Sequence, residues 1–112
     1  MISQVVVLCG GRGKRLKPLT DKVPKPMINI NGAPFLWYLL KQFSDHGIKN
    51  FLLLTGYKHK IIKNFFLNGS KWNWKINYCR GPNYWNTNKR IYEAKKYINN
   101  YFFLLYSDNF SS

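Results

Sequence analysis

The chain is 112 residues long and 46% hydrophobic, which excludes a disordered tail and fits one small domain. Its 18 Lys and Arg against 4 Asp and Glu give a formal net charge of +14, which favours anionic partners: nucleotides, nucleic acid, phosphorylated sugars or an acidic membrane surface. No basic segment precedes the first apolar run, that run is too short for a signal peptide or a membrane span, and Cys9 and Cys79 lack metal-ligand spacing. A reducing cytoplasm is the expected compartment.

Val5 to Cys9 is a continuous, largely β-branched run that predicts a strand buried on both faces, with Cys9 as a small buried hydrophobe. Gly10 to Pro26 reads as a long polar loop, and a loop of that length inside a compact domain suggests function. Asn31-Gly32 signals a tight turn, and Pro34 opens a helix through Leu36, Trp37, Leu39, Leu40 and Phe43 that Gly47 stops. Phe51 to Leu54 predicts a second buried strand ending at Thr55-Gly56-Tyr57. Ile61, Ile62, Phe65 and Phe66 form one face of a short helix, and Asn68 to Trp74 reads as a surface loop. Lys75 to Cys79 predicts a strand, Arg90 to Ile98 a helix with Ile91, Ala94 and Ile98 on one face, and Phe102 to Tyr106 a third strongly apolar strand. His46 and His59 read as helix-end and surface residues, and the aromatic residues as core more than as a base-stacking surface.

Strands alternating with helices predict an α/β fold: a Rossmann-like, mostly parallel sheet flanked by helices, with residues 1–112 as one nucleotide-binding unit. Ligands bind such sheets at the carboxyl ends of the strands. The segment Leu8-Cys9-Gly10-Gly11-Arg12-Gly13-Lys14-Arg15-Leu16 follows the first strand there. Its glycines allow close backbone approach to phosphate, and its cations neutralise phosphate charge. It is not a Walker A loop, which would end in Gly-Lys-Ser/Thr, and Leu16 stands where the dinucleotide fingerprint needs its third glycine. If the first and last strands are neighbours, Asp108 meets this loop at one edge.

The glycine-basic loop is followed by Pro18-Leu19-Thr20 and then by Pro24-Lys25-Pro26-Met27. In that order they resemble the N-terminal signature of the sugar-phosphate nucleotidyltransferases, the NTP-transferase family of NDP-sugar pyrophosphorylases. Asn31-Gly32-Ala33-Pro34 resembles the family's entry into its first long helix, and Leu104-Leu105-Tyr106-Ser107-Asp108-Asn109 the strand that ends in a metal-binding aspartate. The resemblance spans nearly the whole chain and is weakest between Lys71 and Lys89.

The resemblance implies the nucleotide-diphospho-sugar transferase type of fold and transfer of a nucleotidyl group from an NTP to a sugar 1-phosphate, with pyrophosphate released. A phosphate oxygen is anionic near neutral pH, so this reaction needs no general base and depends on positioning and charge stabilisation. Arg15 and Lys25 would be the catalytic cations, Arg15 holding triphosphate oxygens through its planar fork. Leu8, Gly10, Gly11, Gly13 and Lys14 would bind the nucleotide, and Asp108 would hold Mg2+. Members acting on hexose or heptose 1-phosphates are similar around Pro24–Met27 and Trp37.

Two departures qualify this expectation. The family often has a Gly-Thr-Gly turn between the base-binding loop and the next helix; here the stretch is Trp85-Asn86-Thr87-Asn88-Lys89-Arg90, with Asn able to take a left-handed conformation where glycine would sit. Only four residues follow Asp108, so the expectation is a truncated or split N-terminal half with a strand edge left open to a homo-oligomer or a complementing C-terminal chain. The alternatives are a non-catalytic nucleotide-binding half that needs a partner chain and, less favoured, a small basic nucleic-acid-binding domain.

Overall fold

The computed structural model describes residues 4–9, 24–82, 84–98 and 103–106. In chain order the strands are β1 (Val5–Leu8), β2 (Asn29–Ile30), β3 (Ala33–Pro34), β4 (Asn50–Thr55), β5 (Lys75–Arg80) and β6 (Phe103–Tyr106). Among the described residues the helices are α1 (Phe35–Asp45), α2 (His59–Phe66) and α3 (Thr87–Ala94), with short 3-10 turns at Lys25–Met27, Ser70–Trp72 and Lys95–Tyr97.

Four strands form one sheet in the order β5-β4-β1-β6, and every pairing in it is parallel. Parallel neighbours need crossovers, supplied here by α1, α2 and α3. Alternate strand residues serve opposite faces. Val5, Val7, Phe51, Leu53 and Ile76 pack beneath α1 and α2 with Leu36, Leu40, Ile62, Phe66 and Trp74. Val6, Leu8, Leu52 and Leu54 face the other way, against Ala94 of α3 and half-buried Ile91 and Ile98. Covering on both faces is why β1 and β4 are almost wholly apolar.

The α/β expectation holds, and the predicted strands lie within a residue of those observed. The Asn31-Gly32 turn is present, with φ of 50° and 95°, and it closes a two-residue β2–β3 hairpin that the sequence pattern missed. Cys9 is buried, as expected.

Three readings need correction. Asn68 to Trp74 is not simply a surface loop: Gly69 turns the chain at φ +83°, Trp74 N–H donates to Gly69 O, and Trp74 is buried against Phe51. His59 is not a surface residue; it is buried at the start of α2 and bonded to Thr55. The helix expected from Arg90 begins at Thr87 and ends at Ala94, because the Asn86 side chain caps it by accepting from Lys89 N–H at 2.8 Å. Asn86 itself is extended (φ −81°, ψ 176°), so it does not take the left-handed conformation suggested for this turn.

Candidate functional site at the carboxyl edge of the sheet

From β1 the chain moves to β4 and then to β5, and β6 returns to the opposite flank of β1. The order reverses between β1 and β6, and this is the switch point where an open α/β sheet leaves a crevice outside its carboxyl ends. Leu8, at the end of β1, is the register partner of Tyr106, at the end of β6. Cys9 extends β1 by one bond, its N–H donating to Leu54 O at 2.8 Å. The strands that lead into the glycine-basic segment and into Asp108 therefore end side by side.

Gly10, Gly11, Gly13, Lys14, Arg15 and Asp108 themselves lie outside the described residues. Leu8 is described, and its side chain belongs to the core cluster beneath α3. Lys25 begins a 3-10 turn held by Met27 N–H to Pro24 O and Ile28 N–H to Lys25 O. Pro26 and Met27 are buried, so the turn that carries Lys25 is anchored to the core.

The ends of β4 and β5 form the other side of this edge. Thr55 O accepts Gly81 N–H at 2.9 Å and also Arg90 Nη1 at 2.8 Å. Pro82 O accepts Trp85 N–H at 3.1 Å and also Arg90 Nη2 at 2.7 Å. Both carbonyls use two lone pairs, and one guanidinium joins them. Packing is tight at two glycines: a Cβ on Gly56 would lie 2.6 Å from Arg90 Nη2 and displace the guanidinium, and one on Gly81 would run into the Trp85 ring. Gly56, Arg80, Gly81 and Pro82 line a cleft of about 320 Å3 at this point, near the lower limit of small-ligand sites.

Burial lowers the pKa of Arg90. His59 shares a 2.6 Å hydrogen bond with Thr55 Oγ1 and packs edge-on against Tyr78. Burial, helped by Arg80, Lys63 and Lys60, lowers its pKa below the ordinary 6.5. Burial raises that of Tyr78, whose hydroxyl donates to Leu67 O. Sequence reasoning missed Arg90, because its acceptors lie 35 and 8 residues away and no pattern in the helix announces them. Glycines directly after β4 and β5 were the one available hint of close packing there.

Residues 4–112 match the sequence model of the family described as nucleotidyl transferase. The chain belongs to that family. Its relatives include the D-glycero-alpha-D-manno-heptose 1-phosphate guanylyltransferase of Campylobacter jejuni, 36% identical over 96% of this chain and 48% of the relative. The glucose-1-phosphate cytidylyltransferase of Salmonella typhimurium is 48% identical over 58% of this chain and 25% of the relative. Among solved structures, HddC from Yersinia pseudotuberculosis complexed with GMP-PN superposes with a TM-score of 0.82 at 32% identity, covering 96% of this chain and 48% of that one. This nucleotidyl transferase chain thus spans about half the length of the curated relatives it matches across most of its own residues. Among the described residues no helix is long and apolar enough to cross a membrane.

Proposed function

We propose that this chain carries a sugar-1-phosphate nucleotidyltransferase site, with its nucleotide-binding residues at the switch point. The observation that carries the reading is the parallel β1–β6 pairing, with Leu8 opposite Tyr106 at the switch point. Gly10, Gly11 and Gly13 would approach the triphosphate, Lys14 and Arg15 would neutralise it, and Lys25 would present a point charge from its anchored turn. A sugar 1-phosphate oxygen attacks the α-phosphorus of the NTP, and the bond to the β-phosphate oxygen breaks to release pyrophosphate. The residues lower the barrier by holding both phosphates in line and countering the charge that develops. Gly56, Arg80, Gly81 and Pro82 would form the rim for the nucleobase.

Asp108 would supply a carboxylate to Mg2+, a donor set that phosphate oxygens and water usually complete. Among the described residues no group of three or more His, Cys, Asp or Glu side chains is placed to hold a metal ion. The fit therefore rests on the hard-oxygen chemistry of one aspartate beside a triphosphate. When bound, the ion would offset triphosphate charge.

In a second reading, a partner chain supplies the sugar-phosphate subsite and this chain only binds the nucleotide. Pyrophosphate release should be measured with each of the four NTPs, glucose or heptose 1-phosphate and Mg2+. CTP and GTP are the favoured donors, given the relatives. Release by the chain alone supports the first reading; nucleotide binding without release supports the second. Arg15→Ala should reduce release by about 100-fold or more. Binding of nucleic acid with a steep salt dependence, together with no mononucleotide binding, overturns both.

A further inference from the structure

We propose that Arg90 is a positioning residue for the nucleotide, acting through Gly81, Pro82 and Trp85. This rests on the nucleotidyl-transfer reading above. Arg90 is 6% exposed, and the acceptors its guanidinium reaches are two main-chain carbonyls, with no carboxylate paired to it among the described residues. Burying an unneutralised charge is costly, and α3 already has Ala94 and Ile91 to dock it apolarly on the sheet. The guanidinium instead spans the end of β4 and the turn after β5. Each carbonyl it grips also anchors an amide of that turn, Gly81 N–H on Thr55 O and Trp85 N–H on Pro82 O.

Every residue lining the cleft lies at or beside this clamp: Gly56 follows Thr55, Arg80 precedes Gly81, and Pro82 is itself an acceptor. Where a glycine-rich turn would leave the loop adaptable, this chain has a side-chain fork with planar, two-pronged geometry. Arg90 sets the width of the cleft between Gly56 and Pro82 without touching the ligand. The part of the ligand that depends on it is the part that enters the cleft, the base and its ribose, and not the triphosphate at the switch point.

Two variants of the full chain test this. Arg90→Met keeps the apolar stem and removes both donors; Arg90→Lys keeps the charge and a single point of contact. Binding of CTP and GTP should be compared with binding of inorganic tripolyphosphate by calorimetry, and amide exchange followed at Gly81 and Trp85. The expected result is a roughly tenfold or greater loss of nucleotide affinity in Arg90→Met, with tripolyphosphate affinity held within about twofold. Exchange at Gly81 and Trp85 should quicken, and Arg90→Lys should recover part of both effects. If Arg90→Met fails to fold, Arg90→Lys and Gly56→Ala, which crowds the guanidinium, carry the same comparison. Equal losses for nucleotide and tripolyphosphate, or unchanged affinity and exchange, overturn the proposal. An unaltered chain that binds neither ligand overturns the functional reading alone; exchange at Gly81 and Trp85 then decides whether the clamp exists.

Discussion

Phe51 and Leu52 are consecutive residues of β4, both fully buried, yet they enter different surroundings. Phe51 packs edge-on against Trp74, which sits 5.0 Å from Trp72 and 6.3 Å from Trp37, centroid to centroid, beneath two helices. Among the described residues, Leu52 lies under α3, a helix of sequence Thr-Asn-Lys-Arg-Ile-Tyr-Glu-Ala whose one fully buried apolar contribution is Ala94, with half-buried Ile98 beyond it. The first face is held by aromatic and aliphatic area. The second adds polar bonds to a thinner apolar contact: the Asn86 cap and the two carbonyls gripped by Arg90. One sheet is thus fastened in two ways, and the polar fastening lies on the side nearer the cleft.

The largest test of that contrast is truncation on adjacent residues. Phe51→Ala should cost about 3–5 kcal/mol, and Leu52→Ala, in the range of about 2–5 kcal/mol, should cost less because fewer neighbours surround the gap. Urea midpoints with unchanged slopes would measure both, and the reverse ranking would erase the distinction between the faces. A smaller effect belongs to the polar side. Asn86→Ala removes the acceptor for Lys89 N–H and should cost about 1 kcal/mol, read as a lower thermal midpoint. Asn86→Ser should restore most of it, since serine also caps. If Asn86→Ala left the midpoint untouched, α3 would be held by its apolar contact after all.

The smallest effect concerns pH. The pKa of His59 is held below 6.5, first by burial and then by Arg80, Lys63 and Lys60. The unfolded chain therefore binds the proton more readily, and stability rises with pH through this range. Stability from this group is complete above pH 6.5 and declines as the pH falls from there through the lowered value. Thermal midpoints taken from pH 7.5 downward should show the decline, and His59→Gln should flatten it. An unchanged slope in the variant would move the effect to another group.

The sequence made the layered fold legible because strands covered on both faces must be apolar throughout, as β1 and β4 are. It left open whether the first and last strands are neighbours; the β1–β6 pairing supplies that and with it the switch point. Trp74 was misread because its neighbours are polar; burial there comes from the turn at Gly69, a long-range consequence of packing on the sheet. His59 was misread because its partner Thr55 belongs to the preceding strand, although it lies only four residues away. The start of α3 was missed because Asn86 caps it without the acidic third residue that completes a capping box; Lys89 stands there instead. Of the candidate site residues, Leu8 and Lys25 are placed, while the glycines, Lys14, Arg15 and Asp108 lie outside the described residues.

The strand order also constrains how the molecule assembles. β1 sits between β4 and β6, and its partners on the β6 side, such as Phe103 for Val5, are nearly a hundred residues distant. The β4 and β5 pairings close shorter segments and should form first, since loop closure precedes the reward of each long-range contact. During synthesis the flank of β1 that becomes the switch point therefore stays unpaired until β6 has left the ribosome. Until then its main-chain donors and acceptors are open to any passing strand, and a chaperone that shields an extended edge would act at that interval.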